Sequence, residues 1–259
     1  MKPDISICIT NYNARDFLRD CLRSIYGTVD TLSFEIIVVD NHSGDGAPEM
    51  LRNEFPDVCL LTNDENTGFT RPYNQAMRLT QGRYVVILNP DTLVLSNAIS
   101  DLAGFLDSHP EVGIVGPKVL NRDGTLQKQC RRSEARPWDA FCYFSGLSRL
   151  FPHDKHFAGY LMTYLSEDLT HEAEAVSGSC MMIRREVIDQ IGYLDELFFA
   201  YQEDTDYCRR ARLAGWKVFY NPSAQIIHYG GEGGSKVQPF RSIIEWHRSY
   251  YLYYRKHFA

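Results

Sequence analysis

The sequence lacks the marks of several large protein classes. No apolar run approaches the roughly 18 residues that cross a membrane. The opening residues, Met1-Lys2-Pro3-Asp4, carry no apolar signal region. These absences argue against membrane spanning and secretion. No two of the seven cysteines form a C-x-x-C pair, and their number is odd. They are scattered at Cys8, Cys21, Cys59, Cys130, Cys142, Cys180 and Cys208, several inside apolar runs where a free thiol behaves as a small hydrophobe. That pattern fits a reducing compartment and neither a disulfide framework nor a zinc site. Positive charge is in deficit: 27 Lys and Arg against 33 Asp and Glu leave a net charge of −6, which argues against a nucleic-acid binder.

Several chemical signatures are also missing. There is no G-x-x-x-x-G-K-[ST] phosphate loop, no G-x-G-x-x-G fingerprint and no G-x-S-x-G elbow. His171-Glu172 starts like H-E-x-x-H, but position 175 is Ala, so that zinc site fails. Kinases, ordinary dehydrogenases, α/β-hydrolases and zincin proteases all lose ground.

What is present is an ordinary globular composition in 259 residues, enough for a sizeable core. The first half alternates strand and helix patterns. Apolar runs at 5–9, 34–39, 58–61 and 84–88 read as strands. Helical stretches intervene: one with Phe17, Leu18, Cys21, Leu22 and Ile25 on one face, a second ending near Phe55, a third capped by Thr70 and running to Leu79. A fourth starts from a Ser96 cap and ends near Ser108. Continuous β-branched runs suit strands buried on both faces of a parallel sheet, so the fold class is α/β with an open sheet. In such sheets ligands bind at the carboxyl ends of the strands, where Asp40 and Asp91 fall.

The second half is less regular. Asn121-Arg122-Asp123-Gly124 is a hairpin-type turn signal. Residues 132–170 are aromatic-rich and resist assignment. A strand over 175–183 is interrupted at Ser177-Gly178, a helix over 203–213 closes at Gly215, and short strands follow at 217–220 and 224–228. Residues 229–238 hold four glycines and read as a mobile loop; 240–258 is a helix candidate. One continuous domain over 1–259 is the simplest organisation, with a nucleotide-binding half at 1–115, an acceptor and catalytic half at 116–239 and a C-terminal helix at 240–259.

Four constellations carry candidate chemistry. Asp40, at a strand tip, could accept from a nucleobase N–H or a ribose hydroxyl, or simply cap its loop. Asn89-Pro90-Asp91-Thr92 ends the fourth strand, because Pro90 cannot continue a central ladder. Asp91 there could hold Mg²⁺ or Mn²⁺ against a pyrophosphate, or satisfy a turn. Glu203-Asp204 opens a helix after an apolar segment, which suits either the helix dipole or a general base in a desolvated pocket. Asn66-Thr67-Gly68-Phe69-Thr70 precedes a helix N-terminus that could face an anion, with Arg71 adding charge. His228 ends a strand candidate just before the glycine-rich loop.

In this order, the pieces resemble a family 2 glycosyltransferase with the GT-A fold, and within it a rhamnosyltransferase-like subgroup. The resemblance rests on Thr10-Asn11-Tyr12-Asn13, Val38-Val39-Asp40-Asn41-His42-Ser43-Gly44-Asp45-Gly46, Asn66-Thr67-Gly68-Phe69 and Asn74. It continues through Leu88-Asn89-Pro90-Asp91-Thr92, Ser177-Gly178, Glu203-Asp204 and Gly215-Trp216. It implies a Rossmann-like, mainly parallel sheet flanked by helices, with a smaller mixed acceptor-side region. It implies a nucleoside-diphosphate sugar donor (dTDP- or UDP-linked), a glycan or lipid-linked acceptor, a divalent cation (Mg²⁺ or Mn²⁺) and inversion at the anomeric carbon. By the same resemblance, Thr10, Tyr12, Asn13, Asp40, Asn41, Ser43, Asn66, Gly68, Phe69, Arg71, Asn74, Asn89, Ser177 and Gly178 contact the donor. Asp40 would read the pyrimidine. Asp91 and His228 bind the metal, and Asp204 is the base with Glu203 beside it.

Three departures stand out. Asn89 takes the first position of the usual D-x-D motif, Arg71-Pro72 replaces small residues, and the 229–238 loop has no residue-by-residue match. The cysteine pattern and the missing signal and span suggest a cytoplasmic protein. The basic and aromatic C-terminal helix would pack on the domain or on a second subunit, or lie on the inner face of the membrane, where the family's lipid-linked acceptors would make such a contact useful. A sugar-phosphate nucleotidyltransferase is the first alternative, although Thr10-Asn11-Tyr12-Asn13-Ala14-Arg15 lacks that class's glycine-rich loop. A silent nucleotide-sugar-binding scaffold is the second.

Overall fold

The computed structural model describes residues 2–29, 31–134, 136–232 and 234–258. Met1 of the N-terminal segment and Gly233 of the glycine-rich loop therefore lie outside the described residues. The strands are β1 (Ile5–Asn11), β2 (Phe34–Asp40), β3 (Cys59–Thr62), β4 (Tyr84–Leu88), β5 (Thr92–Val94) and β6 (Val112–Leu120). They continue as β7 (Arg131–Arg132), β8 (His171–Glu172), β9 (Ala175–Val176), β10 (Cys180–Arg184) and β11 (Lys217–His228). The helices are α1 (Arg15–Thr28), α2 (Ala47–Glu54), α3 (Thr70–Leu79), α4 (Ala98–Ser108) and α5 (Pro137–Phe144). After them come α6 (Leu147–Leu150), α7 (Arg185–Ile191), α8 (Glu203–Leu213) and α9 (Pro239–His257).

One sheet runs β3-β2-β1-β4-β10-β6-β11-β5, with β8 against β11. The pairs among β3, β2, β1 and β4 are parallel, whereas β10 runs antiparallel to both its neighbours. Strand alternation divides the core. Ile7, Ile9, Val86 and Leu88 face Leu18 and Leu22 of α1 and Leu102 and Leu106 of α4. Cys8, Val85 and Ile87 face Tyr73 and Met77 of α3, Val187 of α7 and Cys208 of α8. Both faces are covered, which explains the unbroken apolar runs of the parallel strands. Six of the seven cysteines are buried and Cys59 is exposed, so most serve as small core hydrophobes.

The chain moves outward from β1 to β2 and β3, then returns to set β4 on the other side of β1. The carboxyl ends of β1 and β4 thus flank a topological switch point. Many elements match the sequence expectation; β6 and α7 were not anticipated, and four further details differ. Thr70 begins α3 but does not cap it, because the preceding turn is set by Phe69 N donating to Phe199 O at 2.7 Å. Ser96 sits at φ +45° and α4 starts only at Ala98. The three-residue β5 follows Pro90 unannounced. The two short strands expected at 217–220 and 224–228 are one strand, irregular between Asn221 and Gln225, where Pro222 interrupts the ladder. Among the described residues no helix is long and apolar enough to cross a membrane.

Candidate active site

The strand ends open into a cleft of about 550 Å³. Thr10 and Tyr12 reach it from β1, Asn89, Pro90 and Asp91 from β4, and His228 from β11. Ser177 and Gly178 enter from the β9–β10 turn, and Glu203 and Asp204 from the start of α8. Asn41 organises the next wall. Its Nδ2 donates to Asn66 Oδ1 and Gly68 O, while its Oδ1 accepts from Thr67 N and Thr67 Oγ1. Gly68 stands at φ +94°, and a Cβ there would lie 2.5 Å from Phe199 O. Only glycine fits this turn.

At the metal end, His228 Nε2 lies 3.2 Å from Asp91 Oδ1. His228 Nδ1 faces Gln127 Oε1 at 2.9 Å, and Gln127 Nε2 donates to His228 O at 2.7 Å. This double contact places a proton on Nδ1 and turns Nε2 toward the cleft, against Asp91 and 3.1 Å from Asn89 Nδ2. Asp91 Oδ2 accepts from Glu232 N, which ties the glycine-rich loop to the same carboxylate. Burial pushes the Asp91 carboxyl up, but the hydrogen bond and charge of His228 and the Glu232 amide outweigh it, and its pKa is lowered. A carboxylate suits Mg²⁺ or Mn²⁺, and an imidazole beside it favours the transition metal, Mn²⁺, of the two. Among the described residues no cluster of three or more His, Cys, Asp or Glu exists, so two protein ligands would leave the other positions to phosphate and water.

The other end of the cleft holds the carboxylate pair. Asp204 Oδ1 accepts from Arg132 Nη2 at 2.5 Å and from Thr205 N at 2.6 Å; its Oδ2 accepts from Gly178 N at 3.0 Å. Burial opposes the charge, yet Arg132 and the Gly178 and Thr205 amides win and hold the Asp204 carboxyl below its ordinary range. Glu203 goes the other way. Burial, reinforced by the Asp204 charge, pushes it up to about 8. Glu203 Oε2 is buried with no hydrogen-bond partner, as is the neighbouring Gln202 Oε1. Tyr201 and Gln202, just before α8, stand at φ +68° and +64°. Two consecutive left-handed non-glycine residues cost about 1–3 kcal/mol each, strain that is typical of functional sites. Two adjacent carboxyls with pKa values pushed apart have the makings of one ionised base and one neutral donor.

A family model described as "Glycosyl transferase family 2" matches residues 6–192, and these take in the Asp91 end of the cleft. The chain belongs to glycosyl transferase family 2. It is 27% identical over 229 residues to an N-acetylglucosaminyl-diphospho-decaprenol L-rhamnosyltransferase of Mycobacterium tuberculosis, covering 84% of this chain and 73% of that one. It is 29% identical over 232 residues to the low-salt glycan biosynthesis hexosyltransferase Agl10 of Haloferax volcanii, covering 88% and 68%. In structure it resembles a mannosyltransferase of Pyrobaculum calidifontis solved with GDP-Man and Mn²⁺ (TM-score 0.65, 19% identity, 98% of this chain and 65% of that one). It also resembles GalNAc-T7 solved with UDP, GalNAc and Mn²⁺ (TM-score 0.62, 15% identity, 88% and 44%). The chain therefore spans less than two thirds of either solved chain. The fold is GT-A, as the resemblance implied.

Five residues expected at the donor site, Asn13, Asp40, Ser43, Arg71 and Asn74, do not line the cleft. Asp40 is 2% exposed, and its carboxylate accepts from Asn11 Nδ2 and Ser43 N, so it braces the β1 terminus behind the wall. Asn13 N donates to Ser43 Oγ, and Asn13 Oδ1 accepts from Gly44 N, locking the two loops together. Asn74 is buried, donating to Leu194 O and Glu196 Oε1 and accepting from Leu194 N, which makes it a strut for the 194–196 segment. Arg71 is exposed and pairs with Glu196 at 3.3 Å. The remaining expected residues all line the cleft.

The sequence reading missed several others. Arg132 and Gln127 hold Asp204 and His228 from a stretch with no motif. Tyr143, Tyr160, Trp246 and Tyr250 wall the carboxylate end. Tyr160 and Tyr250 hydroxyls meet at 2.8 Å, and the Trp246 and Tyr250 rings lie 4.4 Å apart. The abundance of aromatics in 132–170 and in α9 was the only signal for this wall.

Proposed function

We propose that the chain catalyses inverting transfer of a sugar, L-rhamnose being the first candidate, from a dTDP- or UDP-linked donor to a hydroxyl of a glycan or lipid-linked glycan. The rhamnosyltransferase relative supports the sugar, and its diphospho-decaprenol name supports the acceptor class. The observation that carries the reading is the placement, in a single cleft, of the Asp91–His228 pair and the Glu203–Asp204 pair. Asn89 N donates to Ser179 O at 3.0 Å, so the two ends of the cleft are joined by backbone.

Thr10, Tyr12 and the Asn41–Asn66–Gly68 wall hold the nucleoside. Asp91 and His228 would hold a divalent ion, which supplies positive charge to the departing diphosphate. Asp204, kept ionised by Arg132, takes the proton of the acceptor hydroxyl as that oxygen attacks the anomeric carbon from the face opposite the leaving group. The hydroxyl turns acidic only as its bond to carbon forms, so a carboxylate of low pKa still serves. Neutral Glu203 donates a hydrogen bond to a ring or acceptor oxygen. The aromatic wall receives the acceptor's sugar ring. A single displacement inverts the centre. The test is transfer from dTDP-rhamnose and UDP-sugars to a synthetic diphospholipid-linked N-acetylglucosamine, with the product anomer read by NMR. An inverted product supports the reading; a retained anomer overturns it.

A further inference from the structure

Helix α9 turns an apolar face to water. Phe240, Ile243, Ile244 and Tyr251 fall on one stripe at helical spacing and are 83%, 58%, 64% and 64% exposed. The side packed on the domain holds Ser249 and Tyr253, with Ser249 Oγ donating to Ala200 O at 2.7 Å. The apolar surface continues onto α5, where the Phe144 ring, 59% exposed, lies 5.9 Å from Trp246 and 6.4 Å from Tyr250. Isolated exposed apolar residues are ordinary; a continuous stripe is not. Arg248 and Arg255 are exposed along one flank of it. The helix carries Arg241, Arg248, Arg255 and Lys256 against one acid, Glu245, in a chain of net charge −6. Lys256 is turned inward to Asp195 and Asp206, and Arg248 lies 3.5 Å from Glu245, which leaves Arg241 and Arg255 without a carboxylate partner among the described residues.

We propose that α9, with the end of α5, docks the enzyme on an anionic lipid surface. The stripe enters the boundary between headgroups and acyl chains, and Arg248 and Arg255 meet the headgroups. Charge decides between occupants. A second copy using the same face would bring another positive flank against this one, whereas anionic headgroups neutralise it. Arg241, Ser242, Glu245, Trp246 and Tyr250 of the same helix line the cleft, so docking sets the cleft beside the lipid surface. The benefit to a lipid-linked acceptor rests on the proposed function, but docking itself does not.

The test is flotation of the full chain with vesicles of phosphatidylcholine alone and of phosphatidylcholine mixed with phosphatidylglycerol. The protein should float with the anionic vesicles only, and binding should fall in about 1 M salt, where the Debye length shrinks to ~3 Å. The double variant Ile243→Ser/Ile244→Ser, and separately Arg248→Glu/Arg255→Glu, should each lose about tenfold or more in bound fraction. All four positions are exposed and outside the cleft lining, so both variants should keep the wild-type melting temperature and the thermal shift given by UDP or dTDP with Mn²⁺. Equal flotation of the wild type and the serine variant overturns the proposal. So does absence of anionic-vesicle binding, including the case of a dimer that the serines dissolve, which would give the face to a second copy. Vesicle binding without any nucleotide shift would instead count against the proposed function and leave docking standing.

Discussion

Arg132 Nη2 stands 2.5 Å from Asp204 Oδ1, in a pair whose side chains are 9% and 11% exposed. The contact is a short charge-assisted bond between β7 and the first turn of α8. It decides the protonation state of the carboxylate assigned the proton transfer. Removing one partner of such a pair leaves a buried charge alone, which costs about 3–5 kcal/mol. Arg132→Met should therefore lose about that much in denaturant unfolding. Asp204→Asn should lower transfer by about 10²–10⁴ while the nucleotide thermal shift persists. An Asp204→Asn variant with wild-type turnover would remove Asp204 from the mechanism.

Glu203 gives the site its pH dependence. Its folded-state pKa is raised from 4.5 to about 8, so the folded protein binds that proton more tightly than the unfolded chain does. The stabilisation is complete below the unfolded value and is lost as the pH rises toward the folded one. Glu203→Gln lacks this titration. Its melting temperature relative to wild type should climb between about pH 4.5 and pH 8. Wild-type transfer should also decline as Glu203 ionises beside Asp204, and the glutamine variant should keep its rate there. Parallel melting curves for the two proteins across this range would show that Glu203 titrates normally.

Gln127 acts on the proposed metal site through His228 alone. It fixes the His228 ring through both Nδ1 and the backbone carbonyl. Loss of such a partner typically costs 10–100-fold in metal affinity, so Gln127→Ala should weaken Mn²⁺ binding by about that factor in calorimetry. An unchanged Mn²⁺ affinity would mean that His228 is oriented by Asp91 and by Asn89, whose Nδ2 lies 3.1 Å from His228 Nε2.

Gly68 tests the donor wall. Gly68→Ala meets both a left-handed backbone and Phe199 O, and should cost about 1–3 kcal/mol while weakening nucleotide binding. Gly44→Ala, with nothing within 4 Å of the added carbon, should be nearly neutral. Equal effects of the two substitutions would contradict the packing account.

The α/β rhythm was legible because strands buried on both faces must be apolar through their buried length, and Ile36–Val39 and Tyr84–Leu88 are. That Asp91, His228, Glu203 and Asp204 line the crevice was legible from position, since each falls at a strand end or a helix start that faces it. Asp40 and Asn74, expected beside them, stand behind the cleft wall. A polar residue beside a crevice can serve the scaffold as readily as the ligand, and only the hydrogen-bond partners tell which. Arg132, Gln127 and the aromatic wall could not be found locally, because their partners lie 72, 101 and 90 residues away in the chain.

The central claim is a nucleotide-diphosphate site completed by a divalent ion on Asp91 and His228. The most direct measurement is the melting temperature of the wild type and of Asp91→Asn with UDP or dTDP, each with Mn²⁺ or with EDTA. A ligand at a hundred times its Kd adds about 2.7 kcal/mol of stability. The account predicts a nucleotide shift in the wild type that needs Mn²⁺ and disappears in Asp91→Asn. A folded wild type that no nucleoside diphosphate stabilises, or an Asp91→Asn variant that keeps the full metal-dependent shift, would contradict it.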